Sequence, residues 1–322
     1  MQLGVIGCGK WGRNHAHTLA QLSVLGGVAD LIPERRAALA SELGCRALTT
    51  EAMLADPSIT AVVIALPPAR QAEVALRALA ANKHLLVEKP MALDAAEARL
   101  IADRAQSAGR VAMTGHLLLF HSAYRALAAL VAEQALGDLR YIRCVRAGQG
   151  RFYPGTDVVW DLMPHDLSLV RDLMGALPEG GQMQTMSVVS DLADVASLQT
   201  AYPGGPMVEC FVSRVAPVRE RRMLVQGNRA SVLWDENEDW PRRLCLSTNP
   251  TKGAPPPEPS YLPLEPVQPL SGQLAHFIDA IRGGAMARGT AHGGHEVLRF
   301  IHDLHPDAEA PGTASPLAVA WP

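Results

Sequence analysis

The sequence predicts an α/β chain: a doubly wound parallel sheet over residues 1–119, then a second α/β domain over 120–322 built on an antiparallel sheet. Three observations carry this. A glycine-rich run, Gly7-Cys8-Gly9-Lys10-Trp11-Gly12, stands between a first apolar run and a helical pattern. Short apolar runs then alternate with helical periodicity as far as Leu119, the rhythm of βαβ units and a parallel sheet. After Gly115 successive strand-like runs joined by turn residues take over. At 322 residues and 48% hydrophobic content the chain can fill two cores.

Taken in order, the first strands fall at Leu3 to Ile6, Leu25 to Ala29, Arg46 to Thr49, Ala61 to Leu66, His84 to Val87 and Val111 to Gly115. Between them, Ala69 to Ala81 places Val74, Leu76 and Leu79 at helical spacing, and Asp94 is positioned to cap a helix running to Ala108. Six strands in this rhythm suit dinucleotide binding. Further on come a helix from Tyr124 to Gln134, a strand from Tyr141 to Ala147 and a short helix from Val159 to Met174. Strands follow at Gln184 to Asp191, Ala196 to Tyr202, Met207 to Val215, Arg221 to Gln226 and Ser231 to Asp235, with Pro203-Gly204-Gly205 and Gly227-Asn228 as turns. The proline-rich stretch from Pro241 to Pro269 reads as an extended surface connection, and Gly272 to Arg282 as a helix with an apolar face. Order from Pro306 to Pro322 would require docking onto the body.

Several function classes are disfavoured. A net charge of −3 without a long basic block gives no attraction for nucleic acid. The five cysteines are odd in number and widely spaced, as expected of reduced thiols in the cytoplasm. The first strand begins almost at Met1, leaving no room for a secretory leader, and no apolar run approaches the roughly 20 residues that cross a bilayer.

The glycines have separate roles in a dinucleotide-binding turn. Gly7 permits the tight turn, Gly9 lets backbone approach a pyrophosphate, and Gly12 lets helix and strand pack closely, with the helix N-terminus attracting the anion. Lys10 and Trp11 share this loop. Asp30 ends the second strand 18 residues beyond Gly12, where a carboxylate accepts from ribose hydroxyls and repels a 2′-phosphate, so NAD is favoured over NADP. Arg35 and Arg36 point mildly the other way but read as a solvated helix face. Leu66 and Pro67, ending the fourth strand, and Glu88 and Lys89, after the fifth, lie at the carboxyl edge where such sheets bind ligands, and are read as cofactor contacts.

Lys89 is followed by Pro90, which stiffens the turn, and a cis peptide there is plausible. On position alone Lys89 could be a solvated strand end. A partner is offered by Asp161 and His165, four apart and on one face of their helix, which Pro164 is expected to confine to about a first turn. Oxidising a secondary alcohol needs a proton acceptor near neutral pH, suited to His165, and a cation beside the developing alkoxide, suited to Lys89. Asp161 would orient Lys89 or a substrate hydroxyl. His116 and His121 are placed toward the presumed cleft, and Arg146, Arg151 and Tyr153 either hold an anionic substrate or form a solvated edge. His292 with His295 and His302 with His305 are each three apart, but with no cysteine and few carboxylates nearby no metal site is assigned.

With Gly7 to Gly12, Asp30, Glu88-Lys89-Pro90, Gly115-His116, Asp161 to His165 and His276-Phe277-Ile278-Asp279 in this order, the sequence resembles the glucose-fructose oxidoreductase, inositol dehydrogenase and rhizopine-catabolism (Gfo/Idh/MocA) family. The run Val159 to Leu167 is most similar to members that oxidise sugars or nucleotide sugars, nucleotide-sugar 3-dehydrogenases among them. The resemblance implies a Rossmann domain, a C-terminal α/β domain with a large, open, mainly antiparallel sheet, and homodimers or homotetramers formed through that sheet. It implies hydride transfer between NAD and a secondary hydroxyl or ketone of a sugar, cyclitol or nucleotide sugar, with Lys89, Asp161 and His165 as catalytic residues. Phe120, where close relatives tend to carry tyrosine, the second strand's lack of the usual polar residues after Asp30, and the terminus from Pro306 depart from the family pattern. The alternatives are a non-catalytic dinucleotide-binding sensor on the same fold and a trans-dihydrodiol dehydrogenase-like enzyme.

Overall fold

The computed structural model describes residues 1–150, 152–153, 155–252, 255, 257–285 and 288–305. The first half runs β1 (Gln2–Ile6), α1 (Lys10–Gln21), β2 (Leu25–Ala29), α2 (Pro33–Leu43), β3 (Arg46–Leu48), α3 (Thr50–Ala55), β4 (Ile59–Ile64), α4 (Pro68–Ala80), β5 (His84–Val87), α5 (Ala95–Ser107) and β6 (Ala112–Thr114). These strands form a six-stranded parallel sheet of order β3-β2-β1-β4-β5-β6. Strand order reverses between β1 and β4, and their carboxyl ends there form the crevice where ligands bind in such sheets. β1, β4 and β5 are almost wholly buried because helices cover both faces, which is why they read as unbroken apolar runs.

After a 3₁₀ turn at Leu117–Phe120 come α6 (Ser122–Ala132), β7 (Leu139–Gln149), α7 (Val158–Met174), β8 (Gln182–Met186), β9 (Val195–Ala201), β10 (Met207–Ser213), β11 (Val215–Gly227), β12 (Ala230–Asp235), β13 (Leu244–Thr248), β14 (Ser260–Tyr261), α8 (Pro269–Ile281) and α9 (Ala291–Leu304). The strands make an eight-stranded sheet, β14-β13-β12-β11-β7-β10-β9-β8, antiparallel throughout except between β7 and β10. Alternation sends Ile142, Cys144, Val208, Cys210 and Val212 into the core beneath α7. Tyr141, Glu209, Phe211 and Leu224 lie half-buried on the other face.

Four expectations need correction. The helix carrying Asp161 has nearly the expected bounds, Val158–Met174, but Pro164 does not confine it to a first turn, because Val158, Val159, Trp160, Met163, Leu167 and Val170 are buried along it and that packing outweighs the one hydrogen bond proline removes. The stretch from Pro241 to Pro269 contributes two strands, since Leu244–Thr248 pairs with β12 and Ser260–Tyr261 adds the edge strand beyond it, despite the flanking prolines. The strand expected to reach Asp191 stops at Met186, where the amides of Val188, Val189 and Ser190 turn to the Asp194 carboxylate. Helix α9 was not foreseen from its His-Gly-Gly opening; it packs on α5, α7 and β6. The segment from Pro306 to Pro322 lies outside the described residues.

Candidate active site

The turn between β1 and α1 is built for a phosphate-bearing ligand. Gly7 has φ +101°, and a Cβ there would stand 2.2 Å from the Ala65 carbonyl oxygen. A Cβ at Gly12 would come within 1.7 Å of the Gly7 oxygen. At Gly9 it would meet nothing within 4 Å, so that position borders open space. Gly9 starts α1 without a side-chain cap, leaving first-turn amides for an anion. Asp30 braces the loop by accepting from the Cys8 amide at 2.7 Å and the Ile32 amide at 2.9 Å, and its carboxylate has lone pairs left for ribose hydroxyls. Burial, and Asp30 beside it, push the Cys8 thiol up to about 12, so it is inert. Arg36 departs from the solvated reading by donating to the Asp30 carbonyl at 2.9 Å. Leu66 packs against Gly7, Pro67 immediately precedes α4, and Lys10 and Trp11 are exposed on the first turn of α1 and not on the loop. Uncapped amides, an open face at Gly9 and a carboxylate ending β2 together fit a dinucleotide.

Lys89 follows β5, and its peptide with Pro90 is cis. The ammonium donates to the Asp161 carbonyl at 2.9 Å and lies 3.7 Å from the Asp161 carboxylate, so a group of the first sheet meets the first turn of α7. One turn on stands His165. Its ring is largely enclosed, with Nδ1 buried and without a protein partner among the described residues. Burial first, then the charges of Lys89 and Arg146, hold it well below the ordinary histidine range, so it is neutral at pH 7. His116 is held down to about 3 by burial, then by Lys89 and Arg171. With Lys89, Trp160 and Pro164 it lines a cavity of about 10 Å³, room for roughly one water.

The other predicted residues divide. Glu88 accepts from the Lys89 amide at 3.2 Å and pairs at 2.7 Å with His15, a fully buried histidine of α1 that sequence reasoning missed. The signal was faint: His15, Thr18 and Leu19 form the buried stripe of α1. Arg146 is neither a solvated edge nor a free anion clamp. It is 7% exposed, and its fork engages Asp166 at 2.8 to 3.3 Å, with Glu236 at 3.6 Å. Tyr153 is exposed, next to Phe152, over which the buried Arg214 stacks at 4.5 Å. Arg151 lies outside the described residues. His121 turns away from the cleft, between Trp234 and Trp240, and caps α6 through Nδ1.

A larger groove of about 640 Å³ lies at the opposite, amino-terminal edge of the first sheet, around Met1, Pro57, Lys83 and Arg110. It has no glycine loop, and Lys83 there is tied to the Asp56 and Ile59 carbonyls. Among the described residues no His, Cys, Asp and Glu cluster is arranged to hold a metal, and no helix is long and apolar enough to cross a membrane.

Residues 1–116 match the model of an oxidoreductase family with an NAD-binding Rossmann fold, and residues 124–233 that of the GFO/IDH/MocA C-terminal domain. A UDP-N-acetylglucosamine 3-dehydrogenase of Acidithiobacillus ferrooxidans is 37% identical over 238 residues, covering 72% of this chain and 74% of that protein. An inositol 2-dehydrogenase of Mycolicibacterium vanbaalenii is 29% identical over 252 residues, covering 72% of each. The solved structure of the Acidithiobacillus ferrooxidans enzyme matches with a TM-score of 0.85 and 31% identity over 96% of this chain and 98% of that one. A protein of gentamicin A biosynthesis, solved in complex with NAD, has a TM-score of 0.79 at 24% identity over 96% of this chain and 94% of its own, a likeness of fold.

Proposed function

The chain belongs to the Gfo/Idh/MocA family of NAD-binding oxidoreductases, and on that premise we propose that it interconverts a secondary hydroxyl and a ketone on a nucleotide sugar. The observation that carries the reading is the meeting of Lys89 with Asp161 one helical turn from a neutral His165 whose Nδ1 has no partner among the described residues. In oxidation His165 takes the hydroxyl proton onto a free ring nitrogen, and Lys89 donates to the oxygen as it becomes an alkoxide. Asp161 holds Lys89 in place through its carbonyl. NAD, when bound along Gly7 to Gly12 and Asp30, supplies the hydride acceptor. Asp30 supports NAD over NADP, because a 2′-phosphate would face its charge.

The nucleotide-sugar substrate is supported by the relative named for UDP-N-acetylglucosamine 3-dehydrogenation, ahead of the cyclitol enzymes. Tyr153 and Arg151 are the proposed contacts for the anionic portion. The division near Leu119 into cofactor and substrate domains is part of the same proposal. So is a homodimer or homotetramer, supported by the half-buried open face around Tyr141, Phe211 and Leu224, which suits a second copy. The test is a screen of UDP- and dTDP-sugars, free sugars and cyclitols for the reduced-nicotinamide absorbance band. Turnover of a nucleotide sugar is expected; tight NAD binding with no turnover across the panel refutes the dehydrogenase reading.

A further inference from the structure

His305 meets Asp157, and that contact leads to the reacting groups. Asp157 immediately precedes α7. Its Oδ1 accepts from the Trp160 amide at 2.9 Å, closing the first helical turn, while Oδ2 accepts from His305 Nε2 at 2.8 Å. The two side chains are 5% and 16% exposed. The Asp157 carbonyl accepts from the Asp161 amide at 3.2 Å, and the Asp161 carbonyl in turn holds the Lys89 ammonium. A line of hydrogen bonds therefore runs from His305 through the cap of α7 to Lys89.

The other end of this line is firmly seated. His305 follows α9, which starts at Thr290 with its hydroxyl accepting from the Gly293 amide at 3.0 Å. Thr290 also bridges Met113 in β6, and Gly294 lies so near Thr114 that a Cβ would come within 2.1 Å of its hydroxyl. Arg171 of α7 and Glu296 of α9 pair at 2.8 and 3.2 Å. The carboxyl half of α7 is thus tied to α9, and His305 ties down the amino half, where Asp161 sits.

We propose that His305 is a positioning residue: by holding Asp157 it sets the first turn of α7, and so the place of the Asp161 carbonyl that aims Lys89. The inference rests on the reading that Lys89 meets the reacting oxygen. The experiment compares wild type, His305→Ala, His305→Gln and Asp157→Asn in the full chain, by steady-state kinetics and amide hydrogen exchange. In His305→Ala, which leaves the Asp157 cap in place but unheld, kcat is expected to fall about five- to thirtyfold, up to the scale of a lost helix cap, while KM for NAD stays within about twofold. Exchange at the Trp160 and Asp161 amides should quicken by about tenfold or more with β1 and β4 unchanged. Asp157→Asn, which keeps an oxygen for the Trp160 amide and loses the charge facing His305, should show a smaller loss in both readouts. His305→Gln can still donate from Nε2, and should recover kcat to within about threefold of wild type. The proposal is overturned if His305→Ala keeps kcat within twofold of wild type, if glutamine recovers nothing, or if Trp160 exchange is unmoved. A wild type that turns over no substrate sinks the functional reading instead, and the exchange arm still decides whether His305 fixes this turn.

Discussion

Lys89→Met keeps most of the unbranched side chain, one atom short, and removes the charge, isolating the electrostatic part of its role. The ammonium gives one proton to the Asp161 carbonyl at 2.9 Å and stands 3.7 Å from the carboxylate, leaving donors for a substrate oxygen. Losing such a donor at a developing oxyanion costs about 10² to 10³ in kcat, or roughly 2.7–4 kcal/mol. The substitution has a second effect. After burial, Lys89 is the foremost cause holding His165 below its ordinary range. Oxidation needs the neutral ring, so activity falls as pH drops through the histidine pKa; without the repelling charge that acid limb moves to higher pH. Initial rates of NAD reduction on a verified substrate across roughly pH 5–9 measure both effects. A variant with kcat within tenfold of wild type and an unmoved acid limb refutes the shared site.

Three further outcomes are expected. Gly9→Ala should leave the melting temperature within about 2 °C of wild type yet weaken NAD at least about tenfold in calorimetric titration, because the added methyl meets only the ligand's space; Gly12→Ala, 1.7 Å from the Gly7 oxygen, should lose both. Asp30→Asn keeps an acceptor for the Cys8 amide but drops the charge, so the NAD-to-NADP ratio of kcat/KM should fall by about tenfold or more. Asp166→Ala strands the buried Arg146 charge and should cost about 3–5 kcal/mol in denaturant unfolding, much of it recovered when Arg146→Met is added.

Legibility in the sequence followed the range of the interaction. β2 and β5 fall where the apolar runs place them, since strands buried on both faces leave an uninterrupted local signal. α3 is six residues long, too short for a periodic pattern, whereas α9 carries a helical stripe at Gly294, Val297, Leu298 and Ile301 that its Gly293-Gly294 pair obscures. In the site, Lys89 and His165 were visible because each is a chemical group at a place the chain pattern singles out. His15 with Glu88, Arg171 with Glu296 and Asp157 with His305 were not, since 73, 125 and 148 residues separate the partners and only the packed fold joins them. Arg146 is a further case: local sequence leaves it an anion contact or a solvated edge, and Asp166 on a different element makes it interior.

A protein that merely binds dinucleotide has no use for a neutral imidazole one helical turn from the Asp161 that holds Lys89, and the stability of a His165 variant tests enzyme against sensor. An unmet buried polar atom such as His165 Nδ1 costs about 1–3 kcal/mol. The folded pKa lies below the unfolded one, so the unfolded chain takes up a proton that the folded state resists. Stability at this residue is therefore intact above about pH 6.5 and lost below it, by up to about 1.4 kcal/mol per pH unit. His165→Leu removes both penalties at similar volume. The variant should be more stable than wild type by about 1–3 kcal/mol at neutral pH, with a margin that widens toward about pH 5, while NAD affinity holds and turnover falls about 10²- to 10⁴-fold. Stability gained exactly where turnover is lost marks a group kept for chemistry. If His165→Leu is instead less stable, with a margin flat in pH, the ring is there for packing and the non-catalytic reading gains the ground the enzyme loses.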